Sequence, residues 1–435
     1  MAISGLYKFP DKIFEAIDTE KDRPLLIVGR AGTGKTTLIR EILSNRNVRQ
    51  VVLAPTGIAA LQAGGQTIHS FFKIPPGLND LRDLPPIYGR QASLIKSIDR
   101  MIIDEISMMR ADLLDTVDFT LRRTRKRDSP FGGIQVIMVG DFFQLPPVVG
   151  NDERDSFGKL YENRYIFSSK IIQEIEPKII ELTKVFRQRD EKFIEILGNI
   201  REGRNIFESI AFLNKMCVRD HDSGEVPLLL TAYNITADTY NLSKLMELPG
   251  ELCEYMGKIE GDFNIAKNKL PSPELLQLKV GARVMMTKND TQLRWVNGSL
   301  GTVEELTSDS ILIRIDHSTQ ICDVNKCKWE RNVYTFDQSE NRIEKKIIGR
   351  YIQFPIQLAW ASTIHKAQGL TLNDVRLDLS TRNFECGQTY VALSRATSLD
   401  GLSFTHPLSE EDIIVDHNLS KLISAKRMRS VSFEN

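Results

Sequence analysis

Eight residues near the start of the chain, Gly29-Arg-Ala-Gly-Thr-Gly-Lys35-Thr36, fit the pattern G-x-x-x-x-G-K-[ST]. Glycines at these spacings let successive backbone N–H groups turn onto phosphate oxygens, and a helix start behind them adds partial positive charge. Gly29, Ala31, Gly32, Thr33, Gly34 and Thr37 would form the cradle. Lys35 would reach the outer phosphates and Thr36 would offer its hydroxyl to Mg²⁺. A second stretch, RMIIDEISMM, ends the apolar run Met101 to Ile103 in Asp104-Glu105. Asp104 would hold Mg²⁺ through water, and Glu105 would orient and deprotonate an attacking water. An acidic pair is also favoured as a plain solvated helix start. The phosphate loop upstream selects the catalytic reading.

Such groups need a frame, and apolar runs supply one. Leu25 to Val28 precedes the loop, and Leu38, Ile39 and Ile42 recur at helical spacing behind it. VVLAPTG (51–57), VIMVGDFFQ (136–144) and PLLLTAYN (227–234) are further apolar runs that end in polar or turn residues. With helical stretches between them, the layout is α/β around a mostly parallel sheet. Ligands in such sheets bind beyond the carboxyl ends of the strands. Gly29, Thr56, Asp104, Gln144 and Asn234 all fall there.

At 435 residues the chain is too long for one core. It has 57 Lys plus Arg against 57 Asp plus Glu, which argues against a generally polycationic nucleic-acid binder but permits a basic groove. No apolar run is long enough to span a membrane, and MAISGLYKFPDK has no signal-peptide core. Five scattered cysteines fit a reducing compartment, and Cys322 and Cys327 lack the companions of a zinc site. The expected location is cytoplasmic.

VFRQRDEKF places Arg187 and Gln188 beyond the first core, and YVALSRATSLDGL places Arg395 after another apolar stretch. Arginines this far from the phosphate loop suggest a second domain whose charge stabilises a transferring phosphoryl group. Surface ion pairs are the bland alternative for each.

PTGIAALQAGGQTIHSFF, DEISMM, PFGGIQVIMVGDFFQLPPV, LTKVFRQ, VNGSLGTV, ASTIHKAQGLT and YVALSRA occur in that order. They resemble the motifs of superfamily 1B DNA helicases, and more closely the Pif (petite integration frequency) family in its compact bacterial form. ADLLDTVDFTLRRTRKRDSPFGG (111–133) is similar to that family's signature. The resemblance runs from Gly29 to Arg395. It implies two RecA-like P-loop domains closing on ATP and 5′-to-3′ movement on single-stranded DNA. By position it puts Lys35, Thr36, Asp104, Glu105, Gln144, Arg187 and Arg395 at the ATP site, with Gly369 where backbone meets the γ-phosphate. It puts Thr56, Thr67, His69, Asn234, Thr363, His365 and Lys366 in motifs that line the DNA path. Gln144 would touch the γ-phosphate or the attacking water, and Phe142, Phe143, Pro146 and Pro147 would stiffen its link to the DNA cleft. One departure stands out. Relatives often carry an adenine-reading glutamine before the phosphate loop, and LYKFPDKIFEAI has none.

The resemblance also divides the chain. RecA-like domain 1A spans 1–185, with a proline-rich wedge insertion at 71–96. Domain 2A spans 186–280 and 352–435. An SH3-like β insertion, 2B, fills 281–351, where short strand patterns alternate with turns. Phe71, Phe72 and Tyr88 are candidates for stacking on bases or on the duplex junction. Arg283, Lys288, Arg294 and Trp295 are candidates to face the strand. RRTRKR (122–127) is either a DNA contact or a solvated helix face, and SAKRMRS reads as a basic tail.

The expected function is an ATP-dependent 5′-to-3′ DNA helicase acting on single-stranded DNA and single/double-strand junctions. Some relatives act on G-quadruplexes or in telomere maintenance. The expected state is a monomer, with DNA-induced dimerisation as the alternative. A translocase that strips proteins from DNA, a nucleotide-switched binding protein and an RNA motor are rival readings.

Overall fold

The computed structural model describes residues 9–219, 226–265, 270–316, 321–380 and 385–416, together with 419, 423 and 431–432. SAKRMRS (424–430) lies outside them. The chain forms two compact units. The first comprises residues 1–186, 331–348 and 417–435, and the second 187–330 and 349–416.

The first unit is built on a seven-stranded sheet. Its labelled strands are β1 (Leu25–Gly29), β2 (Gln50–Ala54), β3 (Gln66–Thr67), β4 (Arg100–Ile103), β5 (Gln135–Gly140) and β6 (Lys178–Leu182). The order is Val431–Ser432, β6, β1, β5, β4, β2, β3, with every neighbouring pair parallel. All five residues of β1 are buried. Leu26 and Val28 join one hydrophobic cluster while Leu25 and Ile27 join another. Strand alternation thus buries both faces of the sheet, as an α/β/α sandwich requires. This is the α/β RecA-like layout read from the sequence.

Around the sheet pack α1 (Asp11–Thr19), α2 (Lys35–Ser44), α3 (Gly57–Gln62), α4 (Ile68–Phe72), α5 (Gly89–Ser97) and α6 (Ala111–Arg125). The wedge region differs from the sequence reading. Its C-terminal part is helix α5, whose Leu94 and Ile95 belong to the main core of the first unit. Phe71 and Phe72 are also core residues, 0% and 2% exposed, with ring centroids 4.9 Å apart. Neither is placed to stack on a base. Of the three aromatic candidates, only Tyr88, 77% exposed, faces solvent. Phe71→Ala is therefore expected to cost about 3–5 kcal/mol of stability. Urea unfolding checks this. A drop in DNA affinity at unchanged stability would restore the stacking role.

RRTRKR closes α6, and three of its arginines have structural partners. Arg122 pairs with Asp118 and Glu174. Arg123 donates to the carbonyls of Leu84 and Pro85. Arg125 donates to Gly132 and to Ile95, Lys96 and Ile98, at the C-terminal end of α5. These side chains join the proline-rich segment and α5 to α6, so they do not form a free basic face.

In the second unit a four-stranded parallel sheet runs Ala361–Thr363, Leu228–Thr231, Val375–Leu377, Leu402–Phe404. A five-stranded antiparallel sheet holds Ile321–Asn325, Ser310–Ile315, Leu300–Leu306, Arg283–Met286 and Ile356–Leu358, in that order. Two of the residues expected to face DNA are built into this β region. Trp295 is 6% exposed and donates its indole N–H to the Lys288 carbonyl. Arg283 is 2% exposed and pairs with Asp316. Arg294 pairs with Asp290, while Lys288 remains exposed.

Strands Cys327–Asp337 and Arg342–Gln353 are neighbours in a three-stranded sheet with Lys258–Gly261. The sequence reading keeps 281–351 together. In the structure, residues 331–348 belong to the first unit. The cause is long-range packing there. The Tyr334 hydroxyl accepts from Val52 N at 3.0 Å in β2, and its ring sits edge-on to Phe71.

Candidate active site

The phosphate loop leaves β1 at Gly29, and α2 begins at Lys35. A Cβ on Gly29 would lie 2.4 Å from Thr33 Oγ1 and 3.0 Å from Leu182 Cβ. Only glycine fits this crossing of loop and sheet. Gly34 caps α2 with φ of 85°, a left-handed conformation that costs an L side chain strain. Ala31 and Thr33 are buried, Gly32, Gly34, Lys35 and Thr37 are half-buried, and Thr36 is exposed. Thr33 Oγ1 donates to the Arg30 carbonyl at 2.9 Å. Lys35 Nζ donates to the carbonyls of Gly29 and Arg30 at 2.8 and 2.9 Å. Phe9 and Phe186 flank the loop beside Gly34, and Phe186 N–H donates to the Gly32 carbonyl.

Asp104 follows β4, two strands from β1 in the same parallel sheet. Burial raises its carboxyl above the usual range, opposed by the N–H of Glu105 and the charge of Lys35. Its Oδ1 accepts that N–H at 2.9 Å. Glu105 has φ of 52°, a conformation uncommon for a residue other than glycine. Such strain recurs where a side chain must be aimed.

Gln144 stands beyond β5 and is 6% exposed. Asp141, fully buried, builds the turn that carries it. The carbonyl of Asp141 accepts Gln144 N–H, Oδ1 accepts Phe143 N–H, and Oδ2 accepts Gln144 Nε2 at 3.4 Å. Phe142 packs on Phe167 with centroids 4.6 Å apart. Arg164 donates to the Pro147 carbonyl. The Phe-Phe-Gln-Leu-Pro-Pro segment is thus tied down at Asp141, Phe142 and Pro147.

In the second unit the two arginines meet. Arg187 Nη1 donates to the Ser394 carbonyl at 3.0 Å, next to Arg395. Arg395 is 1% exposed and donates to the carbonyls of Val391 and Leu370 and to Ser394 Oγ. Burial, then the like charge of Arg395, lowers the Arg187 guanidinium to about 9, so it stays charged at neutral pH. Its Nε is buried without a hydrogen-bond partner among the described residues. Leu370, whose carbonyl holds Arg395, follows Gly369, which has φ of 84°. Surface ion pairing, the bland reading for both arginines, does not describe this arrangement.

Of the residues assigned to the DNA path, Thr56 caps α3 and Thr67 caps α4, each hydroxyl accepting the N–H three residues on. His69 Nδ1 lies 3.2 Å from the Ile74 carbonyl. Thr363 is buried at the end of its strand and accepts from Lys366 N–H. Asn234 is exposed where helix Asn234–Glu247 begins. His365 and Lys366 are exposed. Gln188, noted in the sequence without a role, is 3% exposed and donates to both carbonyls that flank Arg395. The only sequence signal for it is its place beside Arg187. No group of His, Cys, Asp and Glu among the described residues could hold a metal by itself. No helix among them is long and apolar enough to cross a membrane.

Fold and loop define a P-loop protein with a RecA-like parallel sheet. A family model described as PIF1-like helicase matches residues 7–209. The chain is 34% identical over 386 residues to the ATP-dependent DNA helicase Pif1 of Bdellovibrio bacteriovorus, covering 87% of this chain and 83% of that protein. It is similar to a crystal structure of Bacteroides sp Pif1 in complex with ADP-AlF4, at 34% identity and a TM-score of 0.89, over 96% of each chain. It is also similar to Bacteroides Pif1 bound to single-stranded DNA, at 34% identity and a TM-score of 0.70, over 97% of this chain and 98% of that one. The chain belongs to the PIF1-like helicase family. It spans 57% to 62% of the length of the eukaryotic relatives it matches.

Proposed function

We propose that this protein is an ATP-dependent DNA helicase that moves 5′ to 3′ along single-stranded DNA and opens the duplex ahead, in replication, recombination or repair. The observation that carries the reading is the meeting of Arg187 and Arg395 at Ser394, one on its carbonyl and the other on its hydroxyl, in a chain whose other unit holds a complete phosphate loop. Two guanidinium groups gathered on one residue are suited to stabilise charge on a transferring phosphoryl group. The relatives crystallised with ADP-AlF4 and with single-stranded DNA support nucleotide and DNA as ligands.

The loop N–H groups from Gly29 to Thr37 bind phosphates, and Lys35 leaves its two carbonyls for the outer ones. Thr36 and Asp104 offer hydroxyl and carboxylate oxygens, the hard donors that Mg²⁺ takes. A cation there offsets the cost of burying the charge of Asp104. Bound Mg²⁺ would neutralise charge developing on the phosphates. Glu105 takes the proton of the attacking water and Gln144 orients that water. Gly369 lets backbone approach the γ-phosphate.

Thr56, Thr67, His69, Asn234, Thr363, His365 and Lys366 grip the DNA strand, with Tyr88 at the duplex junction. Phe71 is excluded by its burial. Opening a base-pair step costs about 1.4 kcal/mol, within the reach of one ATP per short step. G-quadruplex DNA is a further substrate on this reading. The working state is a monomer, with pairing on DNA the alternative.

The test is one duplex carrying either a 5′ or a 3′ single-stranded tail. Unwinding from the 5′ tail alone is expected. Unwinding only from the 3′ tail would reverse the polarity and the strand path. DNA-stimulated ATP hydrolysis without unwinding of either would favour a protein-stripping translocase.

A further inference from the structure

We infer that Gln188 is a positioning residue that sets the spacing of Arg187 and Arg395 by clamping both carbonyls flanking Arg395. The inference rests on the ATPase reading above. Its amide nitrogen carries two hydrogens, and both are used: Nε2 donates to Ser394 at 3.2 Å and to Ala396 at 2.8 Å. The third carbonyl of the segment, that of Arg395, accepts Leu372 N–H at 3.0 Å. Thr397 N–H returns to Leu372. The backbone around Arg395 is therefore held on one side by the segment that follows Gly369 and on the other by Gln188.

That clamp opposes a real force. Arg187 and Arg395 carry like charge, and with Gln188 and Arg395 3% and 1% exposed and Arg187 half-buried, solvent screens that charge less than at an open surface. Helix Gln388–Leu393 ends at Ser394, so the carbonyls of Ser394 and Ala396 lie beyond its own ladder. Arg187 supplies a second donor to Ser394, whereas the Ala396 carbonyl takes its side-chain donor from Gln188. Without that glutamine, the Ala396 carbonyl loses its side-chain donor and the backbone on that side of Arg395 is less restrained, although the guanidinium keeps its bonds to Val391, Leu370 and Ser394. Charge stabilisation of a transferring phosphoryl group depends on donors fixed before reaction. A displacement near 1 Å is enough to cost about 10²-fold in rate.

The test uses the full chain with Gln188→Met, which keeps the volume and removes both donors, alongside Arg395→Ala and the double variant. Expected for Gln188→Met is a fall of about 10- to 100-fold in DNA-stimulated turnover, with KM for ATP within about threefold. The preference for ADP with aluminium fluoride over ADP alone should fall by the same factor, because it reports the transition state. The double variant should be no slower than Arg395→Ala alone. If Gln188→Met turns over at the parent rate while Arg395→Ala is inactive, the inference fails and the ATPase reading stands. Should Gln188→Met lose ATP affinity, melting temperature and turnover together, the glutamine is structural and the inference also fails. Parent-rate hydrolysis by Arg395→Ala would remove the arginine assignment and this inference with it.

Discussion

Replacing Glu105 with Gln is expected to lower DNA-stimulated ATP hydrolysis by about 10²–10⁴-fold while ATP still binds. An amide of the same shape can hold the water but cannot take its proton. The backbone N–H that Asp104 accepts is untouched by the substitution, so the loop with its φ of 52° stays aimed as before. The phosphate-binding groups lie on a different segment, so nucleotide affinity should stay within a few-fold. Fluorescent-nucleotide binding and single-turnover hydrolysis separate the two quantities. Unwinding should disappear with hydrolysis. Turnover at the parent rate would show that another group activates the water.

The second large effect is on stability. Arg283→Ala should destabilise the second unit by about 3–5 kcal/mol. The guanidinium is held by both oxygens of Asp316 and by the Val226 carbonyl, and the two charged side chains are 3% and 7% exposed. Removing it strands a buried carboxylate without the arginine that pairs with it. Replacing the pair together, as Arg283→Met with Asp316→Leu, should recover much of the loss, since no buried charge is then left alone. Chemical denaturation of the three proteins measures both. A phosphate-contacting arginine would behave differently. Its loss would leave stability unchanged and reduce the salt dependence of DNA binding by about one unit of slope.

The residues that sequence patterns read well are those fixed by local geometry. Gly29 and Gly34 are demanded by a close approach and a left-handed φ within the loop itself, so their spacing is diagnostic. Asp104 and Gln144 follow short apolar runs, and the sheet carries them beyond strand ends as the runs imply. What stays hidden depends on partners far along the chain. An aromatic pair such as Phe71 and Phe72 has the same pattern whether it meets a base or a core. Only contacts with Tyr334 and the rest of the cluster decide. Arg122, Arg123 and Arg125 form a charge run in sequence, yet their acceptors lie on separate segments. Strand Ile321–Asn325 is equally hard to read, because ICDVN is only five residues long and its outward positions include an exposed isoleucine that blurs the alternation. Its partner Ser310–Ile315 supplies the ladder that makes it a strand.

The membership of residues 331–348 in the first unit has a consequence for synthesis on the ribosome. That unit draws its phosphate loop from the start of the chain, a buried tyrosine from position 334 and an edge strand from Val431–Ser432. When the first 186 residues have emerged, β2 still lacks the Tyr334 hydroxyl and β6 still lacks its outer neighbour. The unit therefore matures only after almost all of the second has been translated. Its completion depends on contacts of very high sequence separation, the kind that slow a domain's formation and leave a sheet edge exposed to other chains until they form.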